Sequence, residues 1–408
     1  MSRFLSVVTP VFLILLAVAV VGGMVWGNTL YARQHRGETD FFVPWLAAQT
    51  FLRYGDPTSP DRITPYSEAA AQRAQLLYYG RLAEEGESPL YLWLPMPAEL
   101  FYFPFALIPD YAVARGVWMT LNQIALVASA VVVLKLIRWS LRWFALLLAL
   151  LFSVLWLFGW QGMLAASPAP LVFLAAMGAL WALRAEQEEV AGILFVLPAL
   201  KWGIFTVFVL FLVWWAFYHR RWRFLAGFAM TIGFLLLVSF LILPGWFFPF
   251  LRGLYWHMQT LPPLSLGAVL TDLFPLAGPR FALLSTLLFS LLLFFEGREA
   301  RQREFRHLLW TSSLTLVVAP LLNLPIGRSD FLAFLFPIFL FLGIVEERWP
   351  ARGLRNPAIL VLVGLLIVSW RLGEAGAILL LSFALLLGLY WVRWYAIRPP
   401  RTLLESTA

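Results

Sequence analysis

An acidic segment near the N-terminus carries the residue that we expect to do chemistry. Asp40 lies within Glu38-Thr39-Asp40-Phe41-Phe42, directly after the first long apolar stretch, and the turn-forming segments Gly55-Asp56-Pro57 and Pro65-Tyr66 follow it. A carboxylate held among aromatic side chains at a membrane boundary can accept the proton of a hydroxyl group that attacks an electrophile. Two other interpretations stay open, in which Asp40 lies in water or caps a helix that begins nearby.

A second set of polar residues interrupts apolar sequence farther along the chain. It comprises Gln161, Lys201, Arg328 and Asp330. Ionisable groups at membrane depth are unfavourable and usually mark a site or a pathway, and Lys201 and Arg328 have the charge to bind a phosphate. Alternatively, Lys201 extends toward the membrane surface and Arg328 pairs locally with Asp330. Convergence of Asp40, Lys201 and Arg328 on one cavity would favour a common site.

The remaining ionisable residues point to few further sites. Glu99 lies within an apolar stretch, where a carboxyl group either serves a site or bonds to a neighbouring helix. The chain has four histidines without metal-binding spacing and no cysteine, so we predict neither a metal site nor a cofactor.

The elements that position these residues are membrane helices. The chain of 408 residues is 62% hydrophobic and 13% charged, with a mean hydropathy of +0.82. Soluble domains are about half apolar and roughly a quarter charged. We therefore predict an all-α polytopic membrane protein with a single integral membrane domain over residues 1–408. The net charge of +8 follows from basic loops between apolar spans, so we expect membrane lipid and no nucleic acid as a partner.

Apolar stretches of about 20 residues predict about 11–13 transmembrane helices. The predicted spans are 4–26, 90–108, 112–136, 143–159, 168–183, 190–217, 224–243, 280–296, 307–322, 330–345, 357–371 and 376–394. The first is longer than a signal-peptide core, so we interpret it as an uncleaved helix with a cytoplasmic N-terminus. Basic loops and a basic tail after residue 218 also place the C-terminus in the cytoplasm.

Strict alternation of the spans conflicts with the charge rule in the first half of the chain, because it places Arg138 outside. Either the proline-rich segment 90–109 is re-entrant or the segment 190–217 is broken. We favour a break at Pro198, which would place Lys201 near the outer face. Irregular backbone at membrane depth is tolerated only where it lines a cavity or packs on protein.

The segment 28–89 is predicted to form a long first extracytoplasmic loop that carries short interfacial helices. It holds eight acidic and six basic residues, a net charge of −2, whereas the rest of the chain carries +10. Residues 67–82 have the pattern of an amphipathic surface helix within this loop.

The order of several short motifs is typical of a known enzyme family. After Asp40-Phe41 and Pro65-Tyr66 come Tyr91-Leu92-Trp93-Leu94-Pro95, Leu107-Ile108-Pro109, Gly159-Trp160-Gln161, Ala191-Gly192-Ile193 and Leu200-Lys201. In this order the chain resembles glycosyltransferase family 87, membrane enzymes of the GT-C superfamily that use polyprenyl-phosphate sugars. The resemblance covers about residues 28–345. The chain departs from the family's pattern at Trp202, where proline is frequent.

The resemblance implies a GT-C-like fold and a hexosyltransferase with its active site at the extracytoplasmic face of the cell membrane. The donor would be a polyprenyl-phosphate sugar, carrying mannose or another hexose, and the acceptor a glycolipid or glycan of the cell envelope. Asp40 would be the base of an inverting transfer. The substrate-binding candidates are Glu38, Tyr66, Gln161, Lys201, Arg328, Asp330 and His257.

Other classes of membrane protein remain open at this point. A transporter or lipid flippase predicts inverted repeats with broken helices at matching positions of two halves, and the sequence shows one candidate break. A non-catalytic scaffold would leave Asp40 in bulk water. An O-antigen ligase-like enzyme would carry its large outer loop late in the chain, whereas the long loop here comes first.

Overall fold

The computed structural model describes residues 2–35, 39–55, 63–84, 86–260, 264–300, 305–348, 355–371 and 374–397. Every regular element in these ranges is helical, which confirms the predicted all-α class. Six of the described helices are long and apolar enough to cross a membrane, and one bent pair of helices would make a seventh span. The chain is therefore a multi-pass membrane protein.

Nineteen α-helices follow one another along the described residues. They are α1 (Ser2–Gln34), α2 (Thr39–Tyr54), α3 (Glu68–Tyr79), α4 (Met96–Glu99), α5 (Phe103–Ala106), α6 (Tyr111–Leu136), α7 (Trp143–Leu155), α8 (Leu157–Leu164), α9 (Ala169–Arg184), α10 (Glu188–Leu200), α11 (Ile204–Tyr218), α12 (Trp222–Ile242), α13 (Phe247–Thr260), α14 (Leu266–Leu273), α15 (Gly278–Ala300), α16 (Phe305–Val318), α17 (Leu335–Arg348), α18 (Arg355–Arg371) and α19 (Glu374–Ile397). Short 3₁₀ helices cover Leu100–Tyr102, Ala319–Leu322 and Arg328–Phe334.

The candidate spans agree with half of the predicted ones. They are Leu13–Gln34, Tyr111–Leu136, Trp222–Ile242, Gly278–Ala300, Phe305–Leu322 and Arg328–Glu347. Four shorter apolar helices accompany them, over Ala169–Arg184, Ile204–Tyr218, Leu360–Arg371 and Ile378–Trp394. The count of 11–13 membrane helices therefore stays a prediction.

The first helix is longer than the sequence pattern indicated. We expected the outer loop to begin at residue 28, but α1 continues to Gln34. Its last turns pack on α6, where the side-chain amide of Asn28 donates to the hydroxyl of Thr120 at 2.9 Å and to the carbonyl of Gln123 at 3.0 Å. Thr29 meets α6 at Gly116, where a larger residue would collide with it. These contacts stabilise the helical backbone beyond the apolar stretch.

Two short helices follow α1, as predicted for the loop. The helix predicted within 67–82 is observed as α3, and its place at the membrane surface stays a prediction. It begins after Ser67, whose hydroxyl accepts from the Ala70 amide at 3.2 Å. It ends at Gly80, whose φ of +77° favours glycine. In contrast, α2 is largely buried and contributes Phe41, Trp45 and other side chains to an aromatic core.

The predicted span over 90–108 is wrong. The segment folds into α4, α5 and a 3₁₀ turn, and none of these is long enough to cross a membrane. Prolines at 95, 97 and 104 remove backbone donors, and Pro97 and Pro104 begin new helical turns. The segment instead completes the aromatic core around α2 through side chains such as Trp93, Met96 and Tyr102.

Two of the predicted spans are interrupted. The segment 190–217 divides into α10 and α11 at residues 201–203, three residues beyond the expected break at Pro198. Pro198 is accommodated inside α10, which ends at Leu200, and the backbone becomes extended at Lys201. A second interruption, which we did not predict, bends α7 against α8 by 54° at Trp156.

Candidate functional site

A small polar cavity lies where the break after α10 meets the start of α2. Its volume is about 40 Å³, and Asp40, Lys201, His257 and Asp330 line it together with Trp93 and Ser329. Lys201 forms a buried ion pair with Asp330, 129 residues farther along the chain. The cavity has room for about one water molecule, so a sugar must widen it to bind.

The break between α10 and α11 positions Lys201 at the polar cavity. Lys201 has an extended backbone, and Gly203 follows with a φ of +118° that L-residues rarely adopt. A Cβ at Gly203 would lie 2.8 Å from Oδ2 of Asp330, so only glycine fits against the carboxylate. Asp330 itself belongs to the 3₁₀ helix that precedes α17, where its amide donates to the Gly327 carbonyl at 3.0 Å.

Asp40 lies in the first turn of α2 with its carboxyl group surrounded by protein. Burial raises the pKa of Asp40, Lys201 opposes the rise, Asp330 adds to it, and a hydrogen bond from Ser167 opposes it. Ser329 in turn donates its hydroxyl to that of Ser167 at 2.8 Å. One lysine serves two carboxylates here and pairs directly with Asp330. The carboxyl group of Asp40 therefore holds a proton more readily than an aspartate in water does.

The loop that carries Ser167 is held by side chains of α6, one turn apart. Trp118 donates its indole N–H to the Ala166 carbonyl at 2.8 Å, and Asn122 donates to the Ser167 carbonyl at 2.8 Å. Ala166 has a φ of +54°, an unfavourable backbone for alanine. The two hydrogen bonds retain this conformation, which directs the Ser167 hydroxyl toward Asp40.

Arg115 ties the loop to the end of α1. Its guanidinium is fully buried and donates to the carbonyls of His35 and Leu164, each at 2.6 Å. His35 ends the described segment before α2, and Leu164 is the last residue of α8. We infer that Arg115 positions Asp40 and Ser167 relative to each other. Sequence reasoning missed it, although an arginine five residues into an apolar helix was a usable signal.

His257 of α13 closes one side of the cavity. Its imidazole stacks on the indole of Trp93, with ring centroids 4.0 Å apart and planes at 3°. Burial, followed by the charge of Lys201, lowers the pKa of His257 to about 3. The imidazole is therefore neutral at physiological pH and can donate or accept one hydrogen bond at the cavity wall.

A large apolar groove begins at the same lysine. It has a volume of about 550 Å³ and is lined by α4, α5, α6, α9 and α10, with Lys201 at one end. Its wall follows α9 from Pro168 to Ala182, a length of about 20 Å. Phe101 and Trp181 on the groove are 42% and 47% exposed. In a membrane protein such a groove opens toward lipid.

The other predicted substrate-binding residues do not line the polar cavity. Tyr66 is buried, and its hydroxyl donates to the Leu94 carbonyl at 2.7 Å, which supports the segment that carries Trp93. Gln161 lies on α8 beside Gly162, which packs against Ser329. Arg328 is exposed at the start of the 3₁₀ helix and does not line the cavity, whereas Asp330 of the same helix does. Glu38 lies outside the described residues.

Glu99 is wholly buried in the aromatic core beside the site. Burial raises the pKa of its carboxyl group well above the ordinary value, so the group keeps its proton to a higher pH than a glutamate in water does. Glu99 in turn raises the pKa of Tyr66, after the larger effect of burial. Glu99 thus belongs to the supporting layer behind Tyr66 and not to the cavity wall.

Comparisons with known proteins give no further assignment. No protein-family model, curated protein or solved structure matches the chain. In the part of the chain that the structure describes, no group of three or more histidine, aspartate or glutamate side chains is arranged to hold a metal ion. Any function must therefore be argued from the site itself.

Proposed function

We propose that the protein is a membrane glycosyltransferase that moves a hexose, such as mannose, from a polyprenyl-phosphate donor to a hydroxyl group of a glycolipid or glycan. One observation carries the proposal: Lys201 lies at the junction of the apolar groove and the polar cavity that contains Asp40. A polyprenyl phosphate has two matching parts, because its long apolar chain suits the groove and its charged phosphate suits Lys201. In this proposal the fold is GT-C-like and the Asp40 end of the bundle is extracytoplasmic.

The groove supports the donor side of the proposal. Its length of about 20 Å along α9 and its apolar walls suit a stretch of isoprenoid chain. The phosphate would then lie beside Lys201, which exchanges part of its pairing with Asp330 for the phosphate oxygens. Arg328 is too exposed to share that role in the described state.

The polar cavity supports the acceptor side. Asp40 accepts the proton of the acceptor hydroxyl as its oxygen bonds to the anomeric carbon. The bond between that carbon and the phosphate oxygen breaks, and its electrons leave with the polyprenyl phosphate. Attack from the face opposite the phosphate inverts the anomeric carbon. Because burial raises the pKa of Asp40, the carboxylate is a better proton acceptor than one in water.

A transfer assay with an Asp40→Asn variant tests the proposed base. Membranes that contain the wild-type protein should move radiolabelled mannose from polyprenyl-phosphate mannose to lipid, and Asp40→Asn should lower the rate by about 10²–10⁴-fold. Donor binding should persist, because Asn keeps the size of the side chain. Asp272→Asn, which changes an exposed carboxylate on α14, is the matched control. Transfer by Asp40→Asn at the wild-type rate would remove Asp40 from this role.

A groove-filling variant tests the donor site independently. Leu174→Trp places an indole in the groove and should weaken binding of polyprenyl phosphate at least about tenfold, since each 1.4 kcal/mol changes affinity tenfold. Leu147→Trp, on the exposed surface of α7, makes the same change outside the groove and should leave binding unchanged. Equal binding by both variants would contradict the proposed donor site.

A transporter has less support. Its inverted repeats would place broken helices at matching positions of two halves. The two interruptions found lie at Trp156 and at residues 201–203, both in the first half of the chain. Among the described helices of the second half, α12 and α15 are continuous candidate spans.

A further inference from the structure

A second polar cavity lies at the opposite end of the bundle. It has a volume of about 600 Å³ and is lined by residues from segments far apart in sequence. The helix α6 connects the two ends: it begins beside Asp110 near the Asp40 end and reaches this cavity after 26 residues, about 39 Å. The cavity is therefore separate from the site proposed for sugar transfer.

Four arginines converge on the second cavity. Arg138 follows α6, Arg184 ends α9, Arg221 precedes α12 and Arg306 begins α16. Two of them are neutralised by carboxylates: Arg221 donates to Glu188 at 2.6 Å, and Arg306 donates to both carboxylate oxygens of Glu347, at 3.2 and 2.5 Å.

The other two arginines are not in an ion pair within the part of the chain that the structure describes. Neither Arg138 nor Arg184 has a carboxylate within ion-pair distance among the described residues, although Glu186 also lines the cavity. Arg184 donates to the Leu136 carbonyl, and the charges of Arg138 and Arg184 repel each other. An arginine has five donor N–H groups, so both guanidinium groups keep donors for a ligand. An anion between them would relieve the repulsion.

We propose that this cavity binds the phosphate group of an amphiphilic anion. Two guanidinium groups provide the forked donors that phosphate oxygens accept in pairs. The cavity also has an apolar wall, formed by Leu136, Ile137, Leu183, Leu309, Leu340 and Ile344. The apolar wall and the guanidinium groups face one cavity, so the glycerol end of a lipid can contact the first while its phosphate binds the second. A phospholipid can contact both the guanidinium groups and the apolar wall, whereas a soluble phosphate can contact only the guanidinium groups.

Binding of two probes to the purified full-length protein tests the proposal. Native mass spectrometry with phosphatidic acid should show a bound lipid, and the double variant Arg138→Gln, Arg184→Gln should lower its affinity at least about tenfold. Phosphatidylcholine should bind the wild type more weakly, because its choline group balances the phosphate charge. The double variant Arg142→Gln, Arg220→Gln removes the same charge from exposed residues that do not line the cavity, and it should bind like the wild type.

The other possible results either show whether the ligand is a lipid or a soluble phosphate, or exclude the site. If inorganic phosphate binds as tightly as phosphatidic acid, with the same dependence on Arg138 and Arg184, the site stands and its ligand is a soluble phosphate. If both double variants lose affinity equally, or neither does, the site is excluded. Should the cavity variant fail to fold, Arg138→Gln alone repeats the test, because Arg138 is exposed and makes no hydrogen bond or ion pair with its side chain in the described residues.

Discussion

The two ends of the helical bundle handle charge in opposite ways. At the Asp40 end, the Lys201–Asp330 pair is sealed, with 8% and 3% of the two side chains exposed. At the Arg138 end, the pair Arg306–Glu347 leaves 31% and 47% of its side chains exposed. Among the described residues that line this cavity, arginines outnumber carboxylates. The first end thus isolates a few groups from water, whereas the second holds a surplus of one charge near it.

This difference matters because burial, more than proximity, changes how an ionisable group behaves. In water a pair of charges is screened and contributes little. In a sealed site the same pair responds strongly when one partner is removed, because the other remains charged without solvent. These differences are the ones that the two proposals require, a sealed site for the transfer at the Asp40 end and an accessible binding site at the Arg138 end.

Removal of the buried lysine should have the largest effect of any single change. Lys201→Met leaves Asp330 and Asp40 buried without their cation, and we expect a loss of about 3–5 kcal/mol of unfolding free energy. The chain has one other lysine, Lys135, which is exposed in the last turn of α6. Lys135→Met should change stability by less than about 0.5 kcal/mol. Thermal unfolding in detergent measures both variants, and equal melting temperatures would contradict the contrast between the two ends.

Acid should destabilise the Asp40 end through His257. Because burial lowers the pKa of His257 to about 3, the folded protein resists protonation while the unfolded chain takes up the proton near pH 6.5. The contribution of the neutral imidazole to the unfolding free energy is therefore fully present above pH 6.5. It is lost as the pH drops toward 3, by on the order of a few kcal/mol.

His257→Phe keeps a ring against Trp93 and removes the titration. Its melting temperature should therefore fall less than that of the wild type between about pH 7 and about pH 4, where only the unfolded chain takes up the proton. His219→Phe, at the other end of the bundle, controls for the loss of a histidine. A wild-type slope in His257→Phe would show that the acid sensitivity arises elsewhere.

Glu99 should have a smaller effect, in the opposite pH direction. Its raised pKa means that the folded state keeps a proton that the unfolded chain releases above its ordinary pKa. Stability therefore declines as the pH rises. Glu99→Gln stays neutral, so it should raise the melting temperature at neutral pH and leave it unchanged in acid. Glu189→Gln, on the exposed start of α10, is the control. A lower melting temperature for Glu99→Gln at neutral pH would mean that the carboxylate is stabilised by its surroundings.

The exposed pair at the other end should matter least. Arg306→Gln removes a hydrogen-bonded ion pair with Glu347, but solvent screens that pair, so we expect a loss below about 1 kcal/mol. Thermal unfolding at low and high salt measures the difference, which should shrink as salt increases. A loss as large as that of Lys201→Met would erase the distinction between the two ends.

Much of the site could be anticipated from residue types alone. Asp40, Lys201 and Asp330 were candidates because charged groups are rare in so apolar a chain, and His257 was named only with the family resemblance. All four line one cavity. Ser167 and Asn122 could not be anticipated, since serine and asparagine occur in many helices and their roles arise only from contacts with distant backbone. Arg115 could have been, because an arginine within an apolar helix is unusual. Arg328 shows the reverse case, because its type suited phosphate but its position at the start of the 3₁₀ helix leaves it exposed.

The fold likewise combines features that the sequence predicted with features that it did not. The hydropathy of the chain identified the membrane helices α6, α12 and α15, because a long apolar run has few alternatives in a bilayer. It also suggested a span over 90–108, where the prolines instead produce short helices that pack on α2. Periodicity cannot distinguish an apolar segment that faces lipid from one that is buried against other protein.

The sequence by itself determined that this chain is an all-α membrane protein, and it identified the few charged residues that its interior must accommodate. Both conclusions rest on composition, which depends on the solvent that each side chain can tolerate. Only the tertiary structure decided that Lys201 pairs with Asp330, that Ser167 bonds to Asp40, and that a lipid-facing groove ends at that lysine. Those relations join residues more than 100 positions apart, so they depend on how the helices pack and not on any local pattern.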